Sequence, residues 1–290
     1  MPSPYDELAD KTYRKYDYSV TFQLVPSTYP LDWSSSFNLL YSLAKNRYFF
    51  PKTRSMLGHI TTEINCKING KMEREFIGSG PKDLMGFRKY ILAGYGFSVL
   101  NRPGQNPELP LLTIDGQLDN EKKDFEEFNA LISKNNFGTL SVLVNETDCQ
   151  SALEFARAYK EKTKSTPMAG NRYGFGADPE KYEGAGCAPL AQTLMRKSGL
   201  TQLDQKFERP LFVPRELVGN PEKDNLVSLW QLLFKNDKLD TPAPGFLEFH
   251  FPDPQLIYDY LISLNDKNPI VLESHFFPGS QCPLKVVRYQ

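Results

Sequence analysis

The stretch MLGHITTEINCKINGKMEREFIGS (residues 56–79) holds the clearest local folding signal in the chain. Two segments that favour β-structure flank the dipeptide Asn69-Gly70, which suits the positive backbone angles of a two-residue type I′ turn. The stretch therefore predicts an antiparallel hairpin. If this turn sets the register, His59 lies opposite Gly80, and Gly78 is beside it on the same face.

Periodicity and helix-end signals predict further elements on both sides of this hairpin. Strands are expected at residues 18–25, 139–144, 210–213, 246–251 and 284–289. Helices are expected at residues 37–43, 81–95, 121–135, 148–159, 187–197, 225–234 and 254–264, and loops at residues 101–110 and 165–186. These elements predict an α+β fold, in which helices pack on an antiparallel sheet. No linker marks a second domain, so residues 1–290 are expected to form one.

Composition excludes several classes of protein. Hydrophobic residues make up 40% of the 290-residue chain, enough for a substantial core and too many for a disordered chain. The 34 basic and 35 acidic side chains nearly cancel, and no basic stripe predicts nucleic-acid binding. No apolar run reaches the roughly 18 residues that a transmembrane helix needs. The polar start lacks the apolar core of a signal peptide. The protein is therefore cytoplasmic, or it is secreted or periplasmic and its export signal has been removed.

The four cysteines are Cys66, Cys149, Cys187 and Cys282, and the three histidines are far apart in the sequence. None of the cysteines has the close spacing of a structural zinc site, so neither a metal nor a cofactor is expected. A chain of this length does not require a disulfide. Cys66, Cys149 and Cys282 are accordingly predicted to be inert.

Cys187 is the strongest candidate for chemistry. It follows Gly184-Ala185-Gly186 and begins a predicted helix, where free N–H groups and the helix dipole stabilise a thiolate. The N–H groups near Ala188 are also placed to bind an oxyanion that forms when the thiolate attacks a carbonyl. Such a nucleophile needs a base, and His59, at the start of a strand beside Gly58, is the best partner among the histidines. The alternative for Cys187 is a buried, inert thiol.

The sequence does not single out the residue that orients His59. Glu63 shares a strand face with His59, but four strand residues span about 13 Å, so Glu63 is expected to contact substrate instead. Asn145 or a backbone carbonyl is then the candidate that orients His59. Tyr173 belongs to a Gly-rich loop before Cys187 and is a candidate for substrate binding or gating.

The two remaining histidines are expected to lie outside the site. His250 is predicted to face solvent on an edge strand, and His275 is predicted to lie in a loop.

Two segments, LGHITTEI (57–64) and GAGCAPLAQTLMRKSGL (184–200), resemble the circularly permuted papain-like cysteine hydrolases. This group includes NlpC-type and YiiX-like cell-envelope enzymes and relatives of lecithin retinol acyltransferase. The resemblance implies a papain-like core in permuted order with insertions, centred on residues 55–80 and 184–200, with the C-terminal third as an extension. It also implies that His59 is the base and Cys187 the nucleophile. The expected activity is thiol-dependent hydrolysis or transfer of an acyl group from a peptide, cell-wall or lipid-like amide or ester.

Two other functions are alternatives to a thiol-dependent hydrolase or acyltransferase. Gly186 stands where the group often has Asn, which favours a catalytically inactive binding or envelope-associated protein of the same fold. A serine hydrolase is disfavoured because the chain has no GxSxG nucleophile motif. The sequence does not indicate the oligomeric state.

Overall fold

The structure is a computed structural model that describes residues 3–49, 58–83, 85–165, 172–235, 237–264 and 269–289. Its helices are α1 (Pro4–Lys11), α2 (Ser36–Phe49), α3 (Arg88–Leu92), α4 (Glu121–Ile132), α5 (Glu146–Ser165), α6 (Cys187–Lys197), α7 (Thr201–Lys206), α8 (Leu229–Phe234) and α9 (Pro254–Ser263). Its strands are β1 (Tyr18–Val25), β2 (His59–Ile68), β3 (Lys71–Ile77), β4 (Ser79–Pro81), β5 (Ile114–Leu118), β6 (Gly138–Leu143), β7 (Arg172–Tyr173), β8 (Glu208–Pro214), β9 (Phe246–Pro252), β10 (Ile270–Phe276) and β11 (Pro283–Arg288). The predicted α+β class is confirmed. No helix within the described ranges is long and apolar enough to cross a membrane.

The main sheet has six strands in the order β10-β11-β6-β1-β2-β3. All neighbours are antiparallel except β6 and β11, which are parallel. The predicted hairpin is confirmed: Asn69 and Gly70 have φ of 50° and 78°, and the β2–β3 pairing follows the register that this turn sets. Met56 and Leu57, the first residues of the quoted stretch, lie outside the described residues.

Helices cover both faces of this sheet, and successive side chains of each strand point to opposite faces. Phe22 of β1 and Ile60 of β2 belong to the apolar cluster that includes buried residues of α5, α6 and α9. Val25 of β1 and Phe76 of β3 belong to a second cluster with α1 and α4. The sheet is therefore buried on both sides, and α6, which begins at Cys187, lies against β2, which begins at His59.

Two smaller sheets complete the structure. The first, β4-β5-β7, is antiparallel and lies beside the start of β2. The second, β8-β9, belongs to a third apolar cluster and contacts α6. His250 lies on β9 and is exposed, as predicted.

Three predictions about local structure were wrong. The helix expected at residues 81–95 is limited to Arg88–Leu92, because residues 79–81 pair with β5 and the Asp83 carboxylate accepts the Met85 N–H in a turn. His275 lies in β10 rather than in a loop, with Nε2 at 3.1 Å from a carboxylate oxygen of Glu273. The loop predicted at 165–186 contains β7, while its residues 166–171 lie outside the described ranges.

Cys66 and Cys149, both predicted to be inert, form a disulfide that the length of the chain did not require. Cys66 lies in β2 and Cys149 in α5, and both side chains are fully buried. The sequence contains no signal for this pair because 83 positions separate its members and only the packing of α5 on β2 brings them together. Cys187 and Cys282 are buried free thiols.

Candidate active site

The loop before α6 fixes the position of Cys187. Gly184 has φ of 108°, and a Cβ at this position would lie 2.2 Å from the backbone of Arg172 in β7. Ser79 Oγ donates a hydrogen bond to the Ala185 carbonyl at 2.9 Å, and the Gly186 N–H donates to the Gly174 carbonyl at 3.0 Å. Strands β4 and β7 therefore hold the loop from two sides.

Cys187 is the first residue of α6, and Gly186 is its N-cap. The Leu190 N–H closes the first turn on the Gly186 carbonyl at 3.1 Å. Pro189 has no N–H, so the backbone donors that the first turn leaves without an intrahelical acceptor are those of Cys187 and Ala188. The predicted oxyanion role of Ala188 requires such a free N–H donor. Cys187 itself is only 5% exposed.

His59 lies between Cys187 and a carboxylate. Its Nε2 is 2.9 Å from Asp119 Oδ2, and its ring also interacts with the Cys187 side chain. The ring is 23% exposed. Gly58, with φ of 88°, makes the turn into β2 that places His59 here, and a Cβ on Gly58 would lie 3.2 Å from Pro254. The structure thus places the side chains of the two residues singled out from the sequence within interaction distance of each other.

Asp119 is the site residue that the sequence did not reveal. It immediately follows β5, its side chain is 9% exposed, and its N–H donates to the Gly78 carbonyl at 3.0 Å. A Cβ on Gly78 would lie 2.1 Å from Asp119 Oδ2, so the glycine makes room for the carboxylate. Gly78 and Gly80 beside His59 were the available signal, because glycines within a strand pattern often mark the close approach of another group.

Replacing Gly78 by Ala is expected to displace the Asp119 carboxylate from His59. Removal of an opposite charge at this distance disfavours the charged form of its partner by about 10-fold or more. We expect a loss of that size in the rate at which iodoacetamide alkylates Cys187 at pH 6. Gly80→Ala is the matched control, because a Cβ there would lie 3.4 Å from Asp119 Oδ1, an ordinary contact. Equal rates in the two variants would contradict this role of Gly78.

The charges of the site favour a thiolate–imidazolium pair. Burial alone raises the pKa of Cys187, but the charge and hydrogen bond of His59, with hydrogen bonds from Tyr173 and the Ile60 N–H, lower this pKa below its usual value. Burial alone lowers the pKa of His59, but the charges of Asp119 and the Cys187 thiolate raise it well above its usual value. Each charged form therefore stabilises the other.

Tyr173 also lies in the site. Its hydroxyl is 3.7 Å from the Cys187 sulfur and is hydrogen-bonded to the Cys187 backbone N–H. Burial and the negative charge of Cys187 raise its pKa well above the usual value, so the phenol stays protonated at neutral pH. A protonated hydroxyl beside the first N–H of α6 is placed to donate a hydrogen bond to a developing oxyanion.

Glu63 and Asn145 do not belong to this constellation. Glu63 is fully buried, and its carboxylate accepts hydrogen bonds from Arg14 Nε at 2.8 Å and from the Tyr13 hydroxyl at 3.2 Å. These partners leave it unavailable to substrate. Asn145 follows β6 at the opposite end of the sheet from His59, and its Oδ1 accepts the Asp148 N–H at 2.8 Å as a helix cap. Asp119 occupies the orienting position instead.

Comparisons with protein-family models, with curated proteins and with solved structures found no match to this chain. Within the described residues, no group of His, Cys, Asp and Glu side chains is arranged to hold a metal ion. The residues themselves define the class of site: a cysteine at a helix N-terminus, a histidine bonded to it, and a carboxylate bonded to the histidine.

Proposed function

We propose that this protein is a thiol-dependent hydrolase or acyltransferase that acts on an amide or ester bond. The observation that supports this most is the position of the His59 ring, which is hydrogen-bonded to Asp119 through Nε2 and also interacts with the Cys187 side chain. Nucleophile, base and orienting group are thus connected in the order that covalent catalysis by cysteine requires. The order of histidine before cysteine in the chain agrees with the permuted papain-like resemblance.

The proposed reaction has two halves. The Cys187 thiolate attacks the substrate carbonyl carbon, the carbonyl π electrons move to oxygen, and the Ala188 N–H group with the Tyr173 hydroxyl holds the oxyanion. The bond to the leaving amine or alcohol then breaks, and the His59 imidazolium protonates that group. A thioester on Cys187 remains. Water, or an acceptor amine or alcohol, then gives its proton to His59 and attacks the thioester, which releases the acyl group and regenerates the thiolate.

Asp119 is proposed to orient the base. Its carboxylate fixes the orientation of the His59 ring and stabilises the imidazolium, which is present in the resting ion pair and forms again when the acceptor gives its proton to His59. Peptides, cell-wall fragments and lipid-like esters or amides are the candidate substrates, from the resemblance.

The experiment that tests this proposal is the trapping of a thioester. The intact protein is incubated with p-nitrophenyl esters of short and long acyl chains, quenched in acid and measured by mass spectrometry. A mass increase of one acyl group that maps to Cys187 is expected, and it is absent in Cys187→Ala. Cys282→Ala is the matched control, since Cys282 is the other buried free thiol and burial raises its pKa. Acylation that persists in Cys187→Ala would refute the proposal.

A catalytically inactive binding protein of the same fold is the second candidate. The observation in its favour is that Cys187 is 5% exposed and belongs to the apolar cluster of α5 and α6. This candidate predicts that no acyl ester modifies Cys187 at any chain length. The thioester experiment therefore separates the two functions.

A further inference from the structure

Helix α8, the residues just before it and the first half of α2 expose six large apolar side chains. These residues, here called the aromatic face, are Phe37, Tyr41, Leu226, Leu229, Trp230 and Phe234. Trp230 and Phe234 are each 70% exposed, and their rings stack at 5.1 Å. The rings of Phe37 and Tyr41 stack at 6.1 Å. The two helices are in contact, and Ser36 Oγ donates to the Lys235 carbonyl at 2.8 Å.

The aromatic face is not needed to build the core. Helix α8 is anchored by its buried Leu232 and begins with a capping box between Ser228 and Gln231, while α2 is anchored by the buried Leu39. The six exposed side chains lie on the outer sides of these anchored elements. Exposed apolar patches larger than a few hundred Å² usually mark interaction sites, whereas single exposed apolar side chains are ordinary.

A cation stands at the rim of this face. Lys45 Nζ lies 4.6 Å from the centre of the Tyr41 ring and 4.2 Å from that of Tyr29, and it donates to the Tyr29 hydroxyl at 3.0 Å. None of the described residues forms a salt bridge with Lys45. Exposed Trp, Phe and Leu side chains with a lysine beside them are the composition of helices that lie in a membrane interface.

We propose that the aromatic face docks on a phospholipid surface, with Trp230 and Phe234 among the acyl chains and Lys45 at the level of the phosphates. Two side chains that are 70% exposed project from the surface. A fluid acyl layer accepts such projections directly, whereas a protein partner has to supply matching pockets. This docking is independent of the chemistry of Cys187.

Binding to sucrose-loaded vesicles of phosphatidylcholine, with and without a minority of phosphatidylglycerol, tests the proposal. The full chain is expected to sediment with both, and more strongly with the anionic lipid. Tryptophan emission should shift to shorter wavelength, and this signal reports on Trp230 because the chain has two tryptophans and Trp33 is already buried. Lys45→Ala should remove the gain from phosphatidylglycerol and leave the binding to phosphatidylcholine.

The double variant W230A/F234A is expected to bind phosphatidylcholine vesicles at least ~10-fold more weakly, from the apolar surface lost. Phe276→Ala is the matched control, because Phe276 is 63% exposed on β10, outside the aromatic face. Absence of vesicle binding by the unchanged protein, or equal binding by the double variant, would overturn the proposal. If the unchanged protein forms a dimer and does not bind vesicles, and if W230A/F234A is monomeric, the aromatic face binds a second copy of the chain. That outcome would likewise overturn the proposal.

Discussion

Replacement of His59 by Ala is expected to slow the acylation of Cys187 by about 1,000-fold, within the range for loss of a general base. The change removes the cation that lowers the Cys187 pKa and also the group that protonates the leaving amine or alcohol. Burial would then act unopposed and raise the thiol pKa. The rate of p-nitrophenol release with an ester that acylates the unchanged protein measures this effect.

His250→Ala is the matched control for this experiment. His250 is an exposed histidine on β9 whose Nε2 is 2.8 Å from Glu248 Oε1, and no contact joins it to the thiol. Its removal should leave the acylation rate unchanged. A loss of less than about tenfold in His59→Ala would be too small for a general base and would contradict the proposed mechanism.

Removal of the Cys66–Cys149 disulfide is expected to lower the free energy of unfolding by about 4 kcal/mol, because the bond closes a long loop in the unfolded chain. The two cysteines are 83 positions apart, so the expected stabilisation lies near the upper end of the range for disulfides. For a chain of this size, the expected drop in Tm is roughly 10 °C. Thermal unfolding of the double variant C66S/C149S, and of the unchanged protein with and without reductant, measures it.

The free thiol Cys282 provides the control. Cys282→Ala should show the same loss of Tm on reduction as the unchanged protein, because Cys282 is not part of the disulfide. A Tm that reductant leaves unchanged in every variant would show that the disulfide adds no stability.

Since β2 begins at His59 and α5 packs against α6, reduction is also expected to loosen the contact between His59 and Cys187.

The disulfide also bears on the compartment in which the protein acts. Buried disulfides form and persist in oxidising environments and are rare in the cytosol. A buried disulfide of this kind is therefore more common in exported proteins than in cytosolic ones.

Local sequence signals predicted much of the frame of the site. The Asn69-Gly70 turn fixed the β2–β3 register, and the glycines before Cys187 marked the start of α6, because both depend on backbone conformation within a few residues. His59 and Cys187 were chosen for the chemistry expected at such element ends. The structure places them in contact, as that choice required.

The rest of the site depends on tertiary packing that no local pattern encodes. Asp119 follows the short strand β5, far from the hairpin in sequence, and reaches His59 only because β5 pairs with β4. Glu63 was expected at the substrate because its burial and its partner Arg14 could not be inferred from strand alternation. Contacts between residues far apart in the sequence were therefore the part that sequence reasoning missed.

The central claim is that Cys187 and His59 form an activated ion pair, and the pH dependence of Cys187 alkylation by iodoacetamide tests it most directly. Rates measured from pH 5 to 9 by peptide mass mapping follow the thiolate fraction. In the unchanged protein, the pH midpoint of the alkylation rate should lie well below the free-thiol value of about 8.5. In His59→Ala the midpoint should lie above that value, since burial alone raises the pKa of Cys187. An identical midpoint in both proteins, at or above about 8.5, would contradict the ion pair and favour an inactive binding protein.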